Sequence, residues 1–193
     1  WPPDPEAWSI RWYKNMIGDC SADVVSSTVP CSTKWMVGTV NSFYIGIIAT
    51  VIATALGTLA ALGLSRPHMP YKGLIMAILI SPMIVPLIIT AAGMFFFYAR
   101  INLVYTFTGV ILAHVALATP FVVITVTATL VGFDMNMVKA AQSLGAKPMR
   151  TFFKVIMPLI LPGIISGALF AFITSFDEVV IVMFMASIDQ LTI

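Results

Sequence analysis

Residues 35–65 read WMVGTVNSFYIGIIATVIATALGTLAALGLS, a run without a single Asp, Glu, Lys or Arg. A helix rises about 1.5 Å per residue, and roughly 20 apolar residues cross a hydrocarbon core of about 30 Å. This run is long enough to do so. Three more follow: Gly73 to Ala99, Ile101 to Phe133 with only His114 inside it, and Val155 to Phe176. A transmembrane barrel would instead alternate apolar and polar residues in segments of about ten, and no such period appears. The fold class is therefore an all-α integral membrane protein with four spans. The stretch Val179 to Ile188 is too short to span alone. It either extends the fourth helix past Asp177-Glu178 or forms a broken, re-entrant piece.

The composition of the whole chain agrees. Of its 193 residues, 60% are hydrophobic and 9% are charged, against about 45–50% and about 25% in soluble domains. With a mean hydropathy of +1.01, a soluble globular domain is excluded, and so is a disordered chain. The net charge of +2 is too small and scattered for a nucleic-acid partner. The chain opens on Trp1, has no signal peptide and stops at Ile193 just past a polar turn, so it is expected to be a fragment lacking spans at both ends.

Lys and Arg mark the cytoplasmic loops. Arg66 and Lys72 lie in the first loop, and Lys139, Lys147, Arg150 and Lys154 in the third. The second loop has only Arg100. Loops one and three are expected in the cytoplasm, which puts residues 1–34 outside, although Arg11, Lys14 and Lys34 run against the rule. The expected organisation is an extracytoplasmic segment at 1–34 and a transmembrane domain at 35–193. Cys20 and Cys31, the only cysteines, fall in that outer segment, where they form either a disulfide or two unpaired thiols.

Within the spans, Gly46, Gly57 and Gly63 with Ala49, Ala53, Ala60 and Ala61 form a small-residue face for close helix contact. Pro82 and Pro86 kink the second span. His114 either bonds a neighbouring helix or marks a functional site in the membrane. Metal-ligating spacing, a Ser-His-Asp order, a phosphate loop and HExxH are all missing, so neither an enzyme nor a metal protein is expected.

Two segments carry polar residues that need a reason. At the end of the fourth span, Thr174 lies three and four residues before Asp177 and Glu178, a spacing that shares one helix face. Ser175 sits among them. Two adjacent acids are costly against lipid, so they either line a wet pathway, with Asp177 slightly preferred over Glu178, or sit in the outer headgroup layer. The third loop, 134–158, reads as helix, glycine turn, helix. Asp134 caps the first helix, Gly145 occupies the C′ position, and a second short amphipathic helix begins after Lys147-Pro148. Such a knob suits docking of a protein or contact with lipid.

This loop resembles the signature of permease subunits of binding-protein-dependent ABC importers: Glu-Ala-Ala, three residues, Gly, nine residues, Ile, one residue, Leu-Pro. The matching positions are Lys139, Ala140, Ala141, Gly145, Val155, Met157 and Pro158. Lys139 departs from the pattern by replacing the usual acid. Leu161-Pro162-Gly163-Ile164, Asn41-Ser42 and Leu112-Ala113-His114 are also similar to the family. The resemblance implies a polytopic helical bundle of the type I ABC importer permease kind, in the bacterial inner membrane. It implies a cytoplasmic ABC ATPase dimer docking at the loop, a second permease subunit and an extracytoplasmic substrate-binding protein. It implies no cofactor on this chain, ATP and Mg belonging to the ATPase. The Phe176-Asp177-Glu178 segment looks most like the spermidine/putrescine branch, with Thr174, Ser175, Asp177 and Glu178 by the pathway. Another solute (ferric ion, an opine, an amino compound) or a membrane scaffold without transport are the other readings.

Overall fold

The computed structural model describes residues 13–14, 34–66, 68–132, 134, 136–187 and 192, and every regular element among them is helical. Cys20, Cys31 and most of the segment 1–34 lie outside the described residues. In chain order the helices are α1 (Lys34–Leu64), α2 (Lys72–Ile84), α3 (Leu87–Arg100), α4 (Phe107–Val131), α5 (Asn136–Ser143), α6 (Pro148–Thr151), α7 (Met157–Phe176) and α8 (Val180–Met185). A π-helical segment, Phe152–Ile156, joins α6 to α7.

Helices α1, α4 and the continuous stretch Pro148–Phe176 are each long and apolar enough to cross a membrane, whereas α2 and α3 qualify only as a pair bent by 105°. Pairing registers show what the bent pair does. Tyr44 of α1 meets Phe107 of α4 edge-on at 5.8 Å, and farther along both helices Gly57 sits against Thr119 and Val122. Both contacts advance the same way, so α1 and α4 run parallel. Parallel neighbours need a return crossing between them. The pair α2–α3 is therefore one broken span, and the described residues make four crossings, as the uncharged runs predict.

Helix α7 runs antiparallel to α4. His114 meets Ser175 at 2.8 Å, while at the other end Thr125 and Thr129 lie against Gly167 and Gly163. Apolar on every side, α4 occupies the centre, with Val110, Ala113, Ala118, Val122 and Val126 fully buried. Close approach rests on small residues, because lipid supplies no hydrophobic drive between helices. A Cβ on Gly57 would lie 2.6 Å from that of Val122. Gly46 packs under Phe172 as the small-residue face predicts, but a Cβ on Gly63 would meet nothing within 4 Å, so Gly63 is not part of a close helix contact.

Proline chemistry accounts for two departures from straight helices. Pro82 has no N–H for the carbonyl of Ile78, and the Ser81 hydroxyl donates to that carbonyl instead, at 2.8 Å. Pro86 then starts α3 in a new direction. Pro158 likewise has no N–H for Lys154, and its ring presses on that carbonyl. The π turn just upstream, where the Met157 N–H reaches the Phe152 carbonyl, gives that ring room. The second amphipathic helix of the third loop is thus not separate. It is continuous with α7, so that one helical stretch runs from Pro148 to Phe176.

Past α7 the chain breaks at 177–179 and resumes as α8, the broken alternative for this stretch. The Tyr105 N–H donates to the Met185 carbonyl at 2.9 Å, tying α8 to the turn that precedes α4. Thr106 caps α4 by accepting from the Gly109 N–H at 3.0 Å.

Candidate functional site

Two interruptions of helix meet at one place. The α2–α3 break contributes Pro82 through Leu87, α4 contributes Leu117 and Phe121, and the α7–α8 break contributes Thr174 and Glu178; together they line a cleft of about 430 Å³. Glu178 is only 8% exposed. One carboxylate oxygen, Oε1, accepts from the Ile181 N–H at 3.0 Å, which satisfies part of the carboxylate and starts α8. Among the described residues no Lys or Arg lines the cleft beside the remaining capacity of the carboxylate.

The sign of the cleft follows from its parts. Each break presents one helix C-terminus and one N-terminus, whose half-charges oppose each other. Glu178 is left as the one acidic side chain lining the cleft among the described residues. Insertion scales put an acid in the membrane near 3 kcal/mol, so the position is costly unless a positive group visits it.

The predicted pathway residues separate. Thr174 and Glu178 face the cleft, whereas Asp177 ends α7 at the exposed surface. Ser175 turns the other way. It is buried, and its hydroxyl shares the 2.8 Å bond with Nδ1 of His114 on α4. His114 therefore bonds a neighbouring helix, one of its two predicted readings. Pro82 and Pro86 gave a sequence signal for the break. Leu117 and Phe121 gave none, because they differ in no way from the other apolar residues of α4.

A second polar feature lies at the opposite end of the bundle. Asp134 caps α5, its Oδ1 accepting from the Asn136 N–H at 2.9 Å. At the other end of α5, the Gly145 N–H bonds the Gln142 carbonyl at 2.9 Å and the Ala146 N–H bonds the Ala141 carbonyl at 3.0 Å. These are the paired bonds of a Schellman cap. Gly145 has φ of 79°, as the C′ position requires. Lys139 and Ala140 are exposed, Ala141 is half-buried, and Leu144 stands 89% exposed at the tip. Farther on, Val155 and Met157 are half-buried and Pro158 is exposed. Among the described residues no group of His, Cys, Asp and Glu could hold a metal ion.

Comparison with known proteins follows this geometry. Residues 28–193 match the family described as binding-protein-dependent transport system inner membrane component. The chain is 33% identical, over 150 residues, to the spermidine/putrescine transport system permease protein PotC of Haemophilus influenzae, covering 78% of this chain and 58% of that protein. It is 30% identical over 187 residues to the putrescine transport system permease protein PotI of Escherichia coli, covering 93% and 62%. It is also 33% identical over 144 residues to the trehalose transport system permease protein SugB of Mycobacterium tuberculosis, covering 75% and 53%. The chain spans somewhat over half the length of these curated relatives.

Proposed function

Since the chain belongs to the family of binding-protein-dependent transport inner membrane components, we propose that it is a permease subunit of an ABC importer whose cargo is a polyamine of the spermidine/putrescine kind. The observation that carries the cargo is Glu178, a buried side chain with no Lys or Arg beside it in the cleft among the described residues, opening between two broken spans. A polyammonium chain would supply the missing positive charge at the moment of passage. Broken helices meeting near mid-bundle are where membrane transporters hold solutes and ions. Relatives named for spermidine and putrescine point the same way. SugB, named for trehalose, favours a second reading in which the cargo is a neutral sugar; a neutral cargo gains little from the charge.

The knob at 134–158 is the proposed seat for the cytoplasmic ATPase, in a bacterial inner membrane with residues 1–34 outside. A second permease subunit and an extracytoplasmic binding protein complete the importer. The permease itself supplies positioning and a gated path, with ATP and Mg on the ATPase. Lys139 removes the usual acid from this seat, so docking rests on the shape of the Schellman turn and its exposed apolar tip.

The test is uptake of labelled spermidine and trehalose by the assembled importer, with Glu178→Gln as the variant. Loss of spermidine uptake with the ATPase still attached supports the reading. Unchanged spermidine uptake, or transport of trehalose alone, overturns the cargo.

A further inference from the structure

The last turn of α7 sends three consecutive side chains to three different places. Thr174 lines the cleft. Ser175 reaches His114 in the interior. Phe176 stacks on Phe172 at 5.7 Å and meets Phe43 of α1 edge-on at 5.2 Å. Successive residues differ by about 100° around a helix, so a rotation of this turn by one step would take Thr174 out of the cleft and pull Glu178 after it. The ring pairs of Phe176 have a preferred geometry, but apolar burial by itself tolerates such slippage, because it is non-directional. A hydrogen bond does not.

His114 is an expensive way to fill its position. It is 1% exposed among apolar residues of α4, and its second ring nitrogen, Nε2, has no partner among the described residues. An unsatisfied buried polar atom costs about 1–3 kcal/mol, and a Leu would fill the space without that cost. What His114 supplies is one directional bond, from Nδ1 to the residue between Thr174 and Phe176. His114 is also in phase with the α4 wall of the cleft, standing three and seven residues before Leu117 and Phe121.

We propose that His114 is a positioning residue: its bond to Ser175 fixes the rotation of the end of α7 and so holds Thr174 and Glu178 in the cleft. The consequence for transport rests on the pathway reading of the cleft; the positioning itself does not.

The experiment uses the importer assembled with its ATPase, in a background without Cys20 and Cys31, and measures the rate at which Thr174→Cys reacts with a small cationic thiol reagent. Adding His114→Leu should slow that reaction about tenfold. Adding His114→Asn, whose amide sits where Nδ1 does, should leave it within about twofold, whereas His114→Gln places its amide at the Nε2 position and should behave like Leu. Ser175→Ala removes one hydroxyl and should match His114→Leu even if the larger change impairs assembly. The double variant should be no slower than either alone. An unchanged rate with Ser175→Ala, equal slowing by Asn and Leu, or losses that multiply in the double variant would each overturn the proposal. Spermidine uptake by Glu178→Gln is read alongside. If that uptake is unchanged while the thiol rates behave as stated, the pathway reading fails and the positioning stands.

Discussion

The cleft and the knob depart from ordinary burial in opposite directions. At the cleft, a carboxylate is kept 8% exposed within an apolar bundle; at the knob, Leu144 is 89% and Met149 69% exposed on a polar loop. Each arrangement is unfavourable for the isolated chain, and on the proposed reading a cation would relieve one and an apolar protein surface the other. Their supports differ too. Glu178 depends on contacts between distant segments, namely α2–α3, α4 and α7. The knob is built locally, from a cap at Asp134 and a glycine turn at Gly145. A local feature should fail through backbone chemistry, and an assembled one through loss of charge.

The largest expected effect is all-or-none and concerns sidedness. An impermeant thiol reagent added to intact cells should modify Asn102→Cys and leave Lys147→Cys untouched, in a background without Cys20 and Cys31. Labelling of Lys147→Cys from outside would overturn the orientation and put the knob on the outer side. Next comes Gly145→Val. A β-branched residue strains at φ of 79°, although nothing within 4 Å crowds a Cβ there. Uptake should be abolished while membrane insertion persists, and Gly145→Asn, which accepts this backbone region, should restore most of it. Normal uptake by the Val variant would remove the knob from coupling.

Glu178→Gln should lower spermidine uptake roughly tenfold or more, the size of a charge-assisted contact, with the ATPase still co-purifying. Leu144→Asp should weaken ATPase co-purification about threefold to tenfold, as for one exposed apolar anchor. Retention at the wild-type level would mean that the tip faces lipid or water. The smallest effect belongs to Asp177→Asn, expected to change uptake by less than about twofold, since an exposed charge is screened. A loss as large as that of Glu178→Gln would show that the cleft extends to the outer surface and would merge the two acids into one site.

The knob was largely legible in the sequence, because capping and the C′ glycine act within a few residues of one another. Asp134, Gly145 and the spacing to Pro158 fall where short-range rules put them. What short-range rules missed was the continuity from Pro148 into α7, which depends on a π turn making room for the ring of Pro158. At the cleft, the sequence reading grouped Thr174, Ser175, Asp177 and Glu178 with a slight preference for Asp177, whereas only Thr174 and Glu178 line the cleft. Helix phase carried the reasoning past Phe176, where the helix has already ended. Once the chain breaks, the 100° step no longer applies, and only neighbouring segments decide which acid turns inward.

The amino-acid sequence by itself determined that this chain crosses a membrane as helices and where its glycine turn lies. Those properties depend on run length, charge placement and local capping, all of which act along the chain. Tertiary structure alone decided how far the span marked by Pro82 and Pro86 bends, that its break faces Glu178, and that His114 bonds Ser175. These outcomes depend on which apolar faces pack together, and the faces are too alike in composition for the sequence to distinguish them.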